Sequence, residues 1–232
     1  MGEHIGTVEA ASFGSSLDTI GVICDLTARL YAAAPDEPTL TALRTLDADE
    51  NLALSPGDQE WVTGLRLIAG YCRRGAAETL LLDAIGDHSR LFVGPLHVLA
   101  PPWSSVYLDN GLLFGPTAQR VGRLYREFGL QVPRPGQEPE DHIAFELAFL
   151  ALLNRRAAAQ LRLGRQTESS KALAVASAFC SQYLEPWVEP FLTRVETCAE
   201  TELYCGLARV TRGLVVMEER CLSEIAELLD AK

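Results

Sequence analysis

Four carboxylates crowd around one imidazole in the segment 137–149, where Glu138, Glu140, Asp141 and Glu146 flank His142. Such a set can do three kinds of chemistry. It can receive guanidinium groups through paired, charge-assisted hydrogen bonds. It can move protons, with Asp141, His142 and Glu146 as acid and base. It can also hold a metal, because His142 and Glu146 have the i,i+4 spacing of two ligands on one helix face. A catalytic zinc site normally takes about three protein ligands, and no H-x-x-x-H or H-E-x-x-H pattern supplies the others. His88 and His97 have no informative spacing, and no G-x-S-x-G elbow marks a serine nucleophile. The residues therefore point to binding rather than to an enzyme, with a metal-dependent hydrolase as the remote alternative. The same segment also has the features of a well-capped helix: Pro139 in the first turn, acids beside the free amides, and His142 with Phe145, Glu146 and Phe149 on one face.

A second concentration lies upstream. Leu91-Phe92-Val93-Gly94-Pro95 leads to Ala100-Pro101-Pro102-Trp103-Ser104-Ser105-Val106-Tyr107-Leu108-Asp109, and Phe114 closes the stretch. Adjacent prolines hold the backbone extended ahead of Trp103. Rings presented in this way lose little entropy on binding, which suits a peptide-accepting surface. The alternative is a stiff loop whose aromatics plug the core.

The surrounding elements read as helices. Apolar residues recur at steps of three and four, and alternating strand patterns are nearly absent, so the chain is expected to be all-α, a bundle of roughly eight to eleven helices. The first runs from about Ser16 to Ala34 through Ile20, Ile23 and Leu30-Tyr31, and Pro35 and Pro38 end it. A short piece spans Thr39 to Leu46. Ser55-Pro56 opens the next, with Trp61, Leu65, Ile68 and Cys72 as its stripe to Gly75. Another covers Ala77 to Leu91. The stretch from Gly94 to Phe114 has no sustained period and reads as irregular, which is uncommon at this length unless it serves a purpose. Helical spacing returns from Pro116 to Phe128. A long helix runs from near Pro139 to Leu163, and the next, capped by Thr167, continues to Leu184. Pro186-Trp187 breaks it, a short helix through Phe191 follows, and a tail helix spans about Thr201 to Leu229. The whole is expected to be one helical domain, 1–232, with a subdomain hinge around 129–138.

Thirty-one acidic against 20 basic residues give a net charge of -11, and the pairs Arg73-Arg74 and Arg155-Arg156 stand alone, so a nucleic-acid partner is not expected. An acidic body does suit a basic peptide. The segment from Met1 to Gly14 lacks a basic start followed by an apolar core, and no apolar run reaches the roughly 18 residues of a membrane span. A cytoplasmic chain without stable membrane insertion is expected. Six cysteines without a C-x-x-C pair read as free, largely buried thiols.

The string Glu138-Pro139-Glu140-Asp141-His142, continuing through Glu146-Leu147 and Phe149, resembles the signature motif of the TorD/DmsD family of redox-enzyme maturation chaperones. Phe92-Val93-Gly94-Pro95 with Ala100 through Asp109 resembles the other family segment, especially in the DmsD-like branch. With Pro186-Trp187 and Phe191, the resemblance spans the chain from about Leu17 to the last helix. It implies a chaperone that binds the twin-arginine signal peptide of a molybdopterin-containing oxidoreductase. The precursor is thereby held back from export and kept competent for cofactor insertion. By the same resemblance Trp103 and Tyr107 border the peptide groove, and Pro101 and Asp109 shape it. Pro139, Asp141 and His142 form its other side, supported by Leu91, Phe92, Phe114, Glu138, Phe145 and Glu146. Family members form monomers or helix-exchanged homodimers. Weak guanine-nucleotide binding is also linked to them, but no phosphate-binding glycine loop is present here, and no cofactor is expected. A helical adaptor that binds the folded client without reading the signal peptide is the alternative. Tyr183 stands where relatives often carry histidine, which removes a group able to charge near neutral pH.

Overall fold

The computed structural model describes residues 7–46, 56–94 and 97–230. Ser55 and Pro95 lie outside the described residues, as does the side chain of Cys221. Leu17, Ile20, Cys24, Leu30 and Tyr31 bury one stripe of α1 (Thr7–Ala32). Pro35 follows its end, but Pro38 sits in the first turn of α2 (Glu37–Leu43), where Asp36 caps the amide of Thr39 at 2.9 Å. Proline costs no hydrogen bond there, so it starts a helix rather than ending one.

Next come α3 (Pro56–Arg73) and α4 (Ala77–His88), which runs into a π-helical turn, Ser89–Val93. The expected irregular stretch contains one short helix, α5 (Ser104–Leu108), and α6 (Pro116–Glu127) follows it. The long helix α7 (Ile143–Arg162) begins four residues later than Pro139 suggests, because His142 takes the cap position. Thr167 lies inside α8 (Gln166–Phe179) rather than capping it. A second π-helical turn, Cys180–Leu184, joins α8 to α9 (Glu185–Cys198), whose first turn accommodates Pro186. The last helix is α10 (Glu202–Asp230). Among the described residues this makes ten α-helices, and none is long and apolar enough to cross a membrane.

Buried side chains from α1 to α10 form one contiguous core. At its centre α7 lies against α1 and α8, while α3 lies along α10. Gly64 of α3 and Gly206 of α10 bring two backbones into contact: a Cβ added at Gly206 would stand 2.6 Å from the carbonyl oxygen of Gly64. Tyr31, Phe92, Phe191 and Tyr204 interlock at one end of the core, with ring centroids between 5.4 and 6.2 Å for the contacting pairs. Leu91 and Phe92 are buried among them and serve packing.

Candidate functional site

Asp141 organises the site from inside. It is fully buried, and its Oδ2 accepts from the Ser105 amide at 2.5 Å and from the Ser104 hydroxyl at 3.1 Å. A carboxylate at this place satisfies amides at the start of α5 that a five-residue helix cannot satisfy itself. The two segments are also stitched by backbone: Ser104 N–H donates to the Asp141 carbonyl (3.1 Å) and Ile143 N–H to the Pro102 carbonyl (2.8 Å). Trp103 and His142 therefore face each other, edge to face at 5.6 Å. Pro102 and Pro139 are buried, and Pro101 is half-buried.

Asp109 performs the same task one step on. Its Oδ2 accepts from the Thr117 amide (2.8 Å) and its Oδ1 from the Thr117 hydroxyl (2.9 Å), which caps α6. Between the caps the chain turns through Asn110 (φ 54°), Gly111 (φ 82°) and Phe114 (φ 58°), all left-handed. A bulky aromatic residue in that region is strained and is retained where the surroundings or the function demand it. Gly115 has no room for a Cβ, which would meet Asp109 Oδ2 at 2.5 Å.

Below the loop, Glu146 is fully buried and its Oε2 accepts from the indole N–H of the equally buried Trp187 at 3.1 Å. Burial, and then the neighbouring Asp141, push its carboxyl well above the usual carboxylate range. His142 Nδ1 accepts from the Ala144 amide at 3.0 Å, which requires that nitrogen to be unprotonated. Burial, with His88 adding to it, lowers this imidazole from 6.5 to about 4. The unfolded chain takes up a proton below 6.5 that the folded chain refuses until about 4, so His142 makes stability fall as pH drops through this window. His142→Asn keeps an acceptor at the cap without the titration. Urea unfolding across the window is expected to show a shallower acid loss in this variant. Near neutral pH its stability should stay within about 1 kcal/mol of the parent, and an unchanged slope would assign the acid sensitivity to another group.

These placements alter the roles expected of the acids. Asp109 and Asp141 are spent on helix starts and Glu146 is buried against Trp187, so Glu138 and Glu140 are the half-buried acids left in the segment, the first beside Arg134 at 3.5 Å. Tyr107 contacts Trp187 (5.4 Å), Phe191 (6.4 Å) and the guanidinium of Arg194 (5.5 Å), which hold it against α9. Trp103 is half-buried, and Phe145 packs on His142 at 5.6 Å. Tyr183 stacks on Phe179 in the second π-helical turn. Five polar atoms here, Trp103 Nε1, Ser105 Oγ, Tyr107 Oη, Asp141 Oδ1 and Glu146 Oε1, are buried without a hydrogen-bond partner among the described residues.

On the outer side of the loop the sequence reading named Phe114 but not Leu112 and Leu113 beside it. Leu108 (39%), Leu112 (59%), Leu113 (44%) and Phe114 (41%) are exposed on one short tip. The signal lay in an apolar triplet held between Gly111 and Gly115, a place where polar residues are the rule. An apolar groove of about 370 Å³ also opens beside α7, floored by Phe145, Phe149 and Leu152 and walled by Leu130 and Val132.

Comparison with known proteins bears on what such a loop serves. Residues 52–193, more than half of the chain, match the family described as nitrate reductase delta subunit. A chaperone protein TorD of Vibrio cholerae serotype O1 is 34% identical over 63% of this chain and 65% of its own length. The chain thus matches just under two thirds of that relative. A chaperone protein TorD of Shewanella loihica is 26% identical over 82% of this chain and 86% of its own. A Tat proofreading chaperone DmsD of Salmonella paratyphi A is 33% identical over 53% of this chain and 54% of its own. TorD and DmsD relatives match at similar identity, which does not assign the chain to the DmsD-like branch.

Proposed function

Because this chain belongs to the TorD/DmsD family of redox-enzyme maturation chaperones, we propose that it acts in the cytoplasm on the precursor of a molybdopterin-containing oxidoreductase. It binds the precursor's twin-arginine signal peptide and holds the protein for cofactor insertion before export. The observation that carries this reading is the tip Leu108, Leu112, Leu113 and Phe114, four large apolar side chains exposed on a loop held at one end by a buried and at the other by a part-buried carboxylate hydrogen bond. A rigid loop gives up little conformational entropy when a ligand covers it. Covering apolar surface returns roughly 25 cal/mol per Å². The apolar part of the signal peptide packs on this tip beside Trp103.

Two further features support it. Each unpartnered polar atom beneath the loop costs about 1–3 kcal/mol, so a rearrangement that offers partners to Trp103 Nε1 or Tyr107 Oη from peptide backbone is favoured. The paired arginines of the peptide meet Glu138 and Glu140, the acids of the signature segment not consumed by capping.

Calorimetry with a synthetic twin-arginine signal peptide tests the proposal. Saturable binding is expected. Asp141→Ala removes the α5 cap and should cost about 2 kcal/mol of stability and about tenfold in affinity through the loosened loop. Asp141→Asn keeps an acceptor for the Ser105 amide and should stay near the parent in both. An Asp141→Asn variant as weak as Asp141→Ala but fully stable would make Asp141 a direct ligand of the peptide. No binding of the peptide, with tight binding of the folded client, would put the helical adaptor in its place.

A further inference from the structure

A second binding surface of opposite character lies between α7 and α8, and it goes beyond the signal-peptide reading. A cavity of about 460 Å³ has an apolar floor that includes Phe128, Leu153 and Val175. Arg156, Arg165 and Lys171 stand on its rim, all exposed. On the same helix Arg155 is tied to Asp25 and Arg162 to Asp18. Among the described residues, by contrast, none of the three rim cations has a carboxylate within ion-pair distance, although Glu168 lines the same cavity. Arg165 stands at the N-cap of α8 without a side-chain cap bond, and Glu168 lies in the first turn of that helix.

On a chain of net charge -11, a rim carrying three cations against one acid around an apolar floor disfavours a twin-arginine peptide and favours its opposite. All three cations are exposed and stand around an apolar floor. They match the anatomy of a protein interface, in which an apolar centre takes an anchor and a charged rim sets orientation. We propose that this cavity docks an acidic segment of a partner protein that carries one large apolar anchor between Asp or Glu residues.

The test uses the full chain and a capped probe peptide, Glu-Asp-Phe-Leu-Glu-Asp, with Lys-Lys-Phe-Leu-Lys-Lys as control, followed by amide chemical shifts in NMR titrations. The acidic probe is expected to shift signals of residues 153–175 saturably, and the basic control to leave them unmoved. The doubly reversed variant Arg156→Glu, Lys171→Glu should weaken the probe by about tenfold or more. Both positions are exposed, so the variant should fold as the parent does, and it should bind the twin-arginine peptide unchanged, which separates this inference from the proposed function. Absence of shifts at 153–175, shifts insensitive to charge reversal, or phenyl phosphate outcompeting the acidic probe there would each overturn it.

Discussion

Replacing Leu113 by Gln and Phe114 by Asn together is expected to weaken binding of a twin-arginine signal peptide by about 100-fold, close to 2.7 kcal/mol, with no loss of folding stability. In the free protein these side chains are 44% and 41% exposed, so their removal leaves no cavity in the core. Phe114 also holds φ 58°, a region that asparagine enters more readily than phenylalanine, so the second change relieves backbone strain. The loss therefore falls on the complex, where apolar contact area disappears. Calorimetry with the synthetic peptide and urea unfolding on the same preparation check both halves. An affinity within about threefold of the parent would remove the tip from the site, since two apolar anchors of this size cannot leave an interface so cheaply.

The second large effect concerns the frame. Gly206→Ala is expected to destabilise the fold by about 3 kcal/mol, the upper end for an overpacked site. The added Cβ would meet the Gly64 carbonyl oxygen at 2.6 Å and Ile68 Cγ1 at 2.8 Å, so α3 and α10 must separate rather than a side-chain tip move. Gly64→Ala, facing the Gly206 carbonyl oxygen at 2.6 Å and the Val210 amide at 2.7 Å, should behave alike. Gly70→Ala is the control on the same helix. Its Cβ meets only the end of the Arg74 side chain at 3.5 Å, so helix propensity should stabilise it by about 0.5–1 kcal/mol. Equal midpoints for Gly206→Ala and Gly70→Ala in urea would show that the two helices do not meet as described.

Helices with long apolar stripes were legible from their residues, as in α3, α6 and α10. The π-helical turn Ser89–Val93 and the short α5 were not. The start of α5 depends on Asp141, 36 residues away from Ser105, and no local rule sees a cap supplied from that distance. The same pairing displaces the start of α7 to Ile143, because the Asp141 carbonyl accepts from Ser104 and the Ile143 amide donates to Pro102. The cluster Glu138 to Glu146 was visible as chemistry, but composition does not tell which carboxylates turn inward. Asp109 and Asp141 became helix caps, and Glu146 became a buried acceptor for the Trp187 indole. Leu112-Leu113-Phe114 was readable as an apolar triplet, while its exposure follows from the left-handed turn at Asn110 and Gly111.

Cross-linking decides where the signal peptide lies. A synthetic twin-arginine peptide with a photoreactive diazirine side chain in its apolar part is bound, irradiated, and the adduct mapped by mass spectrometry. Adducts on residues 103–114 are the expected result, and adducts confined to the α7 groove around Leu130, Phe145 and Leu152 would contradict it.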